Sequence, residues 1–144
     1  MTNLLIGTSK MLFLDDSQTR HNFLCGKKHD VRGGKHDGRF RWEPHTCKNE
    51  VYTVTHVYTA AQAIQQIRES DFDIISLDYD LTVIDPAVNN GLVVAQYLAA
   101  DFPKERIPYT AVFIHSWNRE NREVMYKLLC NQGFNCYLSH FFVA

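Results

Sequence analysis

Short apolar runs alternate with segments of helical periodicity along this chain, and this alternation constrains the fold more than any other feature. Five runs have the apolar or β-branched character of strands, and they cover 11–14, 51–55, 72–77, 109–114 and 135–142. Between the runs, apolar residues recur every three to four positions over 60–69, 91–102 and 118–132. Strands that alternate with helices form parallel sheets through βαβ units. We therefore predict an α/β fold with a five-stranded parallel sheet.

The ends of the predicted helices carry local signals of their own. Thr59 is a natural N-cap for the first helix, Pro103 follows the second, and Gly133 supplies the stop of the third. The apolar side of the third helix is predicted to comprise Val124, Tyr126, Leu128 and Leu129.

Composition narrows the class of protein. The 144 residues match one domain, which we predict to span 1–144, and 45% hydrophobic with 22% charged content is typical of a folded protein. A net charge of −1 excludes a global attraction to nucleic acid or to anionic membranes. There is no apolar run of about 18 residues for a membrane span, no secretory signal at the start, and too few cysteines for a disulfide scaffold. We expect a cytoplasmic protein.

One basic segment interrupts the alternation. Residues 26–50, called the insert below, stand where a first helix is expected and contain seven Lys or Arg against four Asp or Glu. Two near-copies, Lys28–Arg32 and Lys35–Arg39, flank Gly33-Gly34, which favours an exposed flap or short hairpin. We predict that the insert replaces the first helix and that no helix follows the last strand.

Acidic and polar residues stand where the predicted strands end. Asp15 and Asp16 follow the first, Asp78 the third, and His115-Ser116 the fourth. Ligands of open parallel sheets bind outside the carboxyl ends of the strands. Three converging carboxylates repel one another, and a divalent cation such as Mg²⁺ is the simplest compensation. A cation there would attract a phosphate, with Ser116 donating to a phosphoryl oxygen and His115 acting as acid, base or donor.

Each of these residues also has a structural interpretation. Asp16 could serve only the turn that follows it, and His115 could be a buried, hydrogen-bonded histidine. Asp80 could reach the same cation or a ligand hydroxyl, or could cap the loop after it. Asn118 stands at the start of a helix, so it is a candidate N-cap as well as a candidate phosphate ligand.

These motifs resemble those of two-component receiver domains over nearly the whole chain from Met11 onward. The resembling blocks are Leu12–Asp16, Leu77-Asp78 and Ile114–Ser116. The resemblance implies a receiver or flavodoxin-like three-layer sandwich, Mg²⁺ on Asp15 and Asp16, phosphorylation of Asp78, and a phosphoryl contact from Ser116. Receivers also carry a Lys after strand five, whereas this chain has no Lys beyond Lys127.

The chain is more closely similar to a derived branch, the cyclic-phosphate processing receiver domain. The similarity rests on Leu14–Asp16, on Ser76–Leu81, and on His115–Asn118 with Met125. The branch has a His where this chain has Tyr79, commonly a Gly where it has Asn121, and often an Arg where it has Tyr58. The resemblance implies activity on cyclic phosphates in RNA repair or nucleotide-based conflict systems.

The insert allows two further interpretations. The donors for zinc in the insert and just before it would be Cys25, His29, His36, His45 and Cys47, but their spacing matches no zinc signature, so zinc is only a secondary alternative. Its basic residues, including Arg32 and Arg39, together with Phe40 and Trp42, would suit a nucleotide, because cations bind phosphates and rings stack on bases. A solvated loop is the alternative.

The leading hypothesis from the sequence is a metal-dependent protein that binds or hydrolyses a cyclic phosphate, on an RNA end or in a cyclic nucleotide. In it Asp15, Asp16 and Asp78 hold Mg²⁺, and Asp78, His115 and Ser116 act on the ligand. A non-enzymatic binder that sequesters a nucleotide and a receiver that is phosphorylated on Asp78 are the alternatives.

Overall fold

The computed structural model describes residues 9–16, 44–48, 50–81 and 85–139. Its strands are β1 (Ser9–Leu14), β2 (His45–Lys48), β3 (Tyr52–Val57), β4 (Ile74–Leu77), β5 (Ala111–Ile114) and β6 (Asn135–Leu138). Its helices are α1 (Ala60–Glu69), α2 (Gly91–Asp101), a 3₁₀ helix over Lys104–Tyr109, and α3 (Arg119–Asn131).

The strands form one sheet in the order β2-β3-β1-β4-β5-β6. The five predicted strands all pair in parallel, and the three α-helices lie where the periodicity places them. The predicted strand count is wrong by one, because the last part of the insert adds β2 antiparallel to β3. β2 lies at the sheet edge with exposed Thr46 and Lys48, and a charged edge strand resists pairing with other chains.

Several predicted boundaries shift for identifiable reasons. The run 109–114 begins as a strand only at Ala111, because the 3₁₀ helix extends to Tyr109 and Thr110 is its C-cap. The run 51–55 becomes Tyr52–Val57, and the run 72–77 becomes Ile74–Leu77. The run 135–142 is a strand over Asn135–Leu138, and its last residues lie outside the described part of the chain.

Side-chain caps start each of the three α-helices. Thr59 accepts a hydrogen bond from the N–H of Gln62, as its position predicted. Asn90 and Asn118 cap α2 and α3 in the same way, accepting from Val93 and Asn121. Each helix follows a strand, so these three N-termini all lie at the edge of the sheet where the strands end.

The main core lies between the sheet and the three helices. On this side, called the helix face, the strands present only apolar side chains near the site, namely Leu12, Leu14, Ile75, Leu77, Val112 and Ile114. From α3, Met125 and Leu129 enter the core. The prediction that Val124 belongs to the apolar side is wrong, since it is 48% exposed, one helical position away from Met125.

The opposite side of the sheet, called the ring face, has a smaller apolar cluster of Met11, Phe13 and Val54. The predicted replacement of the first helix and the absence of a last one concern residues outside the described ranges. Within those ranges, no helix has the length and apolar character needed to cross a membrane.

Candidate functional site

Three side chains meet at the carboxyl edge of the sheet, one after each of β1, β4 and β5. They are Asp15, Asp78 and His115, and one ligand atom of each lies within 4.8 Å of the others. The register places them together, because Leu14 pairs with Leu77 and Leu77 pairs with Ile114. All three are buried, with exposures of 0%, 5% and 4%. The cluster therefore lies at the β1/β4 crevice, where flavodoxin-like sheets bind their ligands.

His115 is hydrogen-bonded through both ring nitrogens. Nε2 lies 2.8 Å from Oδ2 of Asp15, and Nδ1 lies 2.7 Å from Oγ of Ser76. A carboxylate only accepts, so Nε2 carries the proton in its bond to Asp15, while Nδ1 shares a hydrogen bond with the Ser76 hydroxyl. Of the two interpretations of His115, the geometry favours the buried, hydrogen-bonded one.

A second histidine holds the main chain of Asp15. Nε2 of His56 donates to the Asp15 carbonyl oxygen at 2.6 Å. The Phe13 ring lies between the two imidazoles, with centroid distances of 5.0 Å to His56 and 5.1 Å to His115. Sequence reasoning missed His56, because β3 has an ordinary strand pattern and only its pairing with β1 places His56 opposite Phe13.

Asp78 lies against the start of α2. A Cβ on Gly91 would overlap the Asp78 carbonyl oxygen and lie 3.0 Å from Cε of Met125. The Gly91 N–H donates to the carbonyl of Tyr79 at 3.0 Å. Only glycine permits this approach, and Met125, noted in the sequence motif, packs beside the same glycine from the core.

Ser116 and its neighbours form a second wall. Oγ of Ser116, which is 3% exposed, accepts from the N–H of Asn118 at 3.0 Å. The Asn118 amide donates to Oδ2 of Asp80 at 3.4 Å, so the exposed Asp80 lies at the rim and outside the buried cluster. Arg122, which sequence reasoning missed, donates from Nη1 to the Ser116 carbonyl at 3.2 Å.

The remaining predicted site residues are placed as follows. Asp16 is half-buried and is not one of the three side chains whose ligand atoms lie within 4.8 Å of one another. Arg32 and Arg39 lie outside the described residues. Of the described zinc candidates, His45 packs 5.3 Å from His56, and Cys47 is disulfide-bonded, which removes its thiolate as a donor. Across the described ranges, Asp15, Asp78 and His115 are the one group of three His, Cys, Asp or Glu side chains whose ligand atoms lie this close together.

The donor set fits a hard divalent cation. Asp15 and Asp78 offer carboxylate oxygens, the ligands that Mg²⁺ prefers. The Nε2–H of His115 is already donated to Asp15, so His115 is not a nitrogen ligand in this arrangement.

Solved structures that this chain resembles include response-regulator receiver domains. The chain is similar to a receiver domain from Methylobacillus flagellatus at 15% identity and TM-score 0.55, over 93% of this chain and 87% of that one. A sensor protein from Polaromonas sp. JS666 has 16% identity and TM-score 0.56, over 93% and 85%. A response regulator from Burkholderia pseudomallei, solved with a phosphorylated aspartic acid, calcium ion and citrate, has 17% identity and TM-score 0.54, over 92% of this chain and 59% of that one.

A search of curated proteins gave no match. The structural similarities establish the flavodoxin-like receiver fold, and the sequence itself matches the Cyclic-phosphate processing Receiver domain over residues 10–131. That match covers the carboxyl ends of β1, β4 and β5 and the whole of α3. The chain therefore belongs to the cyclic-phosphate processing receiver domain family.

Proposed function

We propose that this protein binds or hydrolyses a cyclic phosphate, on an RNA end or in a cyclic nucleotide, at a divalent-cation site. The observation that carries the proposal is the buried cluster of Asp15, Asp78 and His115, in a chain of the cyclic-phosphate family. Asp15, Asp16 and Asp78 would hold Mg²⁺. Such a cation, when bound, supplies charge neutralisation at the phosphate and lowers the pKa of a coordinated water.

The second wall supports contact with the phosphate. Because the Ser116 hydroxyl accepts from the Asn118 N–H, its own proton is directed elsewhere and would donate to a phosphoryl oxygen. Asn118 also caps the 13-residue α3, whose N-terminus favours an anion. The guanidinium of Arg122, hydrogen-bonded to the Ser116 carbonyl, adds positive charge beneath this wall.

Groups at the rim would recognise the rest of the ligand. Asp80 is exposed and accepts from the Asn118 amide, so it would bind a ligand hydroxyl beside the phosphate. Arg32 and Arg39 of the insert are proposed to contact the ligand's phosphates. His115 would contribute indirectly, by orienting the Asp15 carboxylate to which it is hydrogen-bonded.

An incubation experiment tests the proposal. The protein with Mg²⁺ is given 2′,3′-cyclic nucleotides, RNA ending in a 2′,3′-cyclic phosphate, and cyclic oligonucleotides, and products are separated from retained ligand. Hydrolysis supports an enzyme and retention of intact ligand supports a binder. If none of these ligands is either turned over or retained, the proposal fails.

Asp78→Asn is the decisive variant, with Asp73→Asn as its matched control. Asp73 lies just before β4, at the opposite end of the sheet, where it accepts from the N–H of Lys10. We expect Asp78→Asn to abolish turnover or retention and Asp73→Asn to preserve it. Unchanged activity in Asp78→Asn would refute the assignment. Labelling of Asp78 by acetyl phosphate would instead favour the phosphoacceptor alternative.

A further inference from the structure

A continuous chain of hydrogen bonds runs through the ring face into the site. The Ser76 hydroxyl meets Nδ1 of His115 at 2.7 Å, and Nε2 of His115 meets Oδ2 of Asp15 at 2.8 Å. The three residues are 0%, 4% and 0% exposed, in that order. Water therefore does not replace either hydrogen bond. Ser76 orients the ring of His115, and that ring orients the carboxylate of Asp15.

Ser76 is a polar residue at a completely buried position of the sheet. It is in the middle of the sheet, where its register partners are Phe13 on β1 and Phe113 on β5. A buried hydroxyl without a partner costs about 1–3 kcal/mol by protein mutational data, so an apolar residue would be the cheaper choice in this strand. The hydroxyl is compensated by His115, and it orients that ring.

Asp15 has a second anchor on its other flank. His56 holds the Asp15 main-chain carbonyl at 2.6 Å, and Phe13 fills the space between the two imidazoles. The main chain and the side chain of Asp15 are thus held separately, by rings from β3 and from the end of β5. A carboxylate fixed in this way loses little rotational freedom when it binds a cation.

We infer that Ser76, His115 and His56 are positioning residues, which act through Asp15 by fixing the carboxylate that binds the cation. The inference rests on the cation site of the proposed function and gives His115 neither a ligand nor an acid–base role. Hydrogen-bond partners of metal ligands typically contribute about 10–100-fold to metal affinity.

Mn²⁺ titration followed by electron paramagnetic resonance measures this contribution directly. We expect His115→Ala to weaken Mn²⁺ binding about 10–100-fold and Ser76→Ala to weaken it less. His115→Gln should recover much of the loss, because its amide N–H₂ can still donate to Asp15. Thr110→Val is the matched control, since Thr110 donates its buried hydroxyl to the Phe72 carbonyl at the other end of β5.

Imidazole ¹⁵N spectra at constant pH provide a readout that is independent of affinity. We expect the proton of His115 on Nε2, and we expect it to remain there when Mg²⁺ is added. Loss of that proton on Mg²⁺ addition would make His115 a direct ligand and overturn the inference. Folding of each variant is checked by thermal unfolding, and His115→Gln keeps the test valid where His115→Ala does not fold.

The outcomes separate the inference from the proposed function. Wild-type affinity for Mn²⁺ in both His115→Ala and Ser76→Ala overturns the inference, whatever the activity on cyclic phosphates. Weakened Mn²⁺ binding in a protein that neither binds nor cleaves cyclic phosphates upholds the inference and refutes the proposed function. A wild-type protein that binds no Mn²⁺ refutes both.

Discussion

The two faces of the sheet are built from neighbouring residues of the same strands, yet they have different chemistry. On the helix face, Leu12, Leu14 and Leu77 pack against the helices with no polar atom among their side chains. On the ring face, one step along the same strands, Phe13 and Ser76 are joined to His56 and His115 by ring contacts and hydrogen bonds. Both faces are buried at these positions.

The difference teaches how stability and site geometry are separated in this fold. Apolar burial on the helix face is non-directional, so it contributes free energy of folding without specifying the orientation of any one group. Hydrogen bonds on the ring face contribute only about 0.5–1.5 kcal/mol each, but they have strict directions. We therefore expect helix-face variants to lower stability and ring-face variants to lower cation affinity.

The largest expected effect on stability is that of Leu12→Ala. Leu12 is completely buried among core residues on the helix face. Its truncation should lower the free energy of unfolding by about 2–5 kcal/mol, as for other buried leucines, which urea denaturation measures. The Mn²⁺ affinity of the folded fraction should stay near the wild-type value. A large loss of affinity in a folded variant would contradict the separation of the two faces.

Gly91→Ala should lower both stability and cation affinity, because Gly91 is the residue of α2 that lies against Asp78. The added methyl must displace the Asp78 carbonyl or the backbone of α2. We expect a loss of about 1–3 kcal/mol in stability together with weaker Mn²⁺ binding.

Gly133→Ala is the matched control for Gly91→Ala. Gly133 follows α3 at φ 96°, where an alanine costs about 1–2 kcal/mol of backbone strain. It precedes β6, at the end of the sheet opposite to the cation ligands, so stability should fall while Mn²⁺ affinity is kept. If Gly91→Ala behaved like Gly133→Ala, the contact with Asp78 would be irrelevant to the site.

Asn118→Ala should have a smaller effect, about 1 kcal/mol, through loss of the α3 N-cap. Thr59→Ala removes the corresponding cap of α1 and should cost a similar amount. Only Asn118→Ala should also weaken retention of a cyclic phosphate in equilibrium dialysis, because Asn118 adjoins Ser116 and Asp80. Equal retention by both variants would limit Asn118 to its capping role.

The smallest effect concerns Cys136 on β6, far from the cation ligands in the register. Burial raises the pKa of its thiol from 9.0 to about 12, with a smaller contribution from Cys130. We expect iodoacetamide at pH 8 to modify the exposed Cys130 and to spare Cys136, which peptide mass spectrometry resolves. Comparable modification of both would contradict the burial of Cys136.

The raised pKa of the Cys136 thiol also makes the stability of the protein depend on pH. The folded state keeps the Cys136 proton where the unfolded state loses it, so stability falls as the pH rises from about 9 towards 12. Cys136→Ala should reduce this alkaline loss in thermal unfolding measured across that range. The same loss in the variant and in the wild type would assign it to other groups.

Local patterns predicted the five parallel strands, the three helices and the polar residues that end β1, β4 and β5. These predictions succeeded because apolar periodicity and capping depend on neighbours a few positions apart. The edge strand β2 was missed, since its four residues carry little strand signal until β3 offers them a partner. Val124 was misassigned because Met125, not Val124, faces the core.

The sequence by itself therefore determined the element types and the presence of Asp15, Asp78 and His115 at strand ends. Tertiary structure decided what holds them. Strand pairing placed His56 beside Phe13 and aligned Ser76 with His115, and the packing of α2 brought Gly91 against Asp78. These contacts join residues up to 100 positions apart, as for His115 and Asp15, and no local pattern encodes them. They depend on strand order and register, which only the packed sheet specifies.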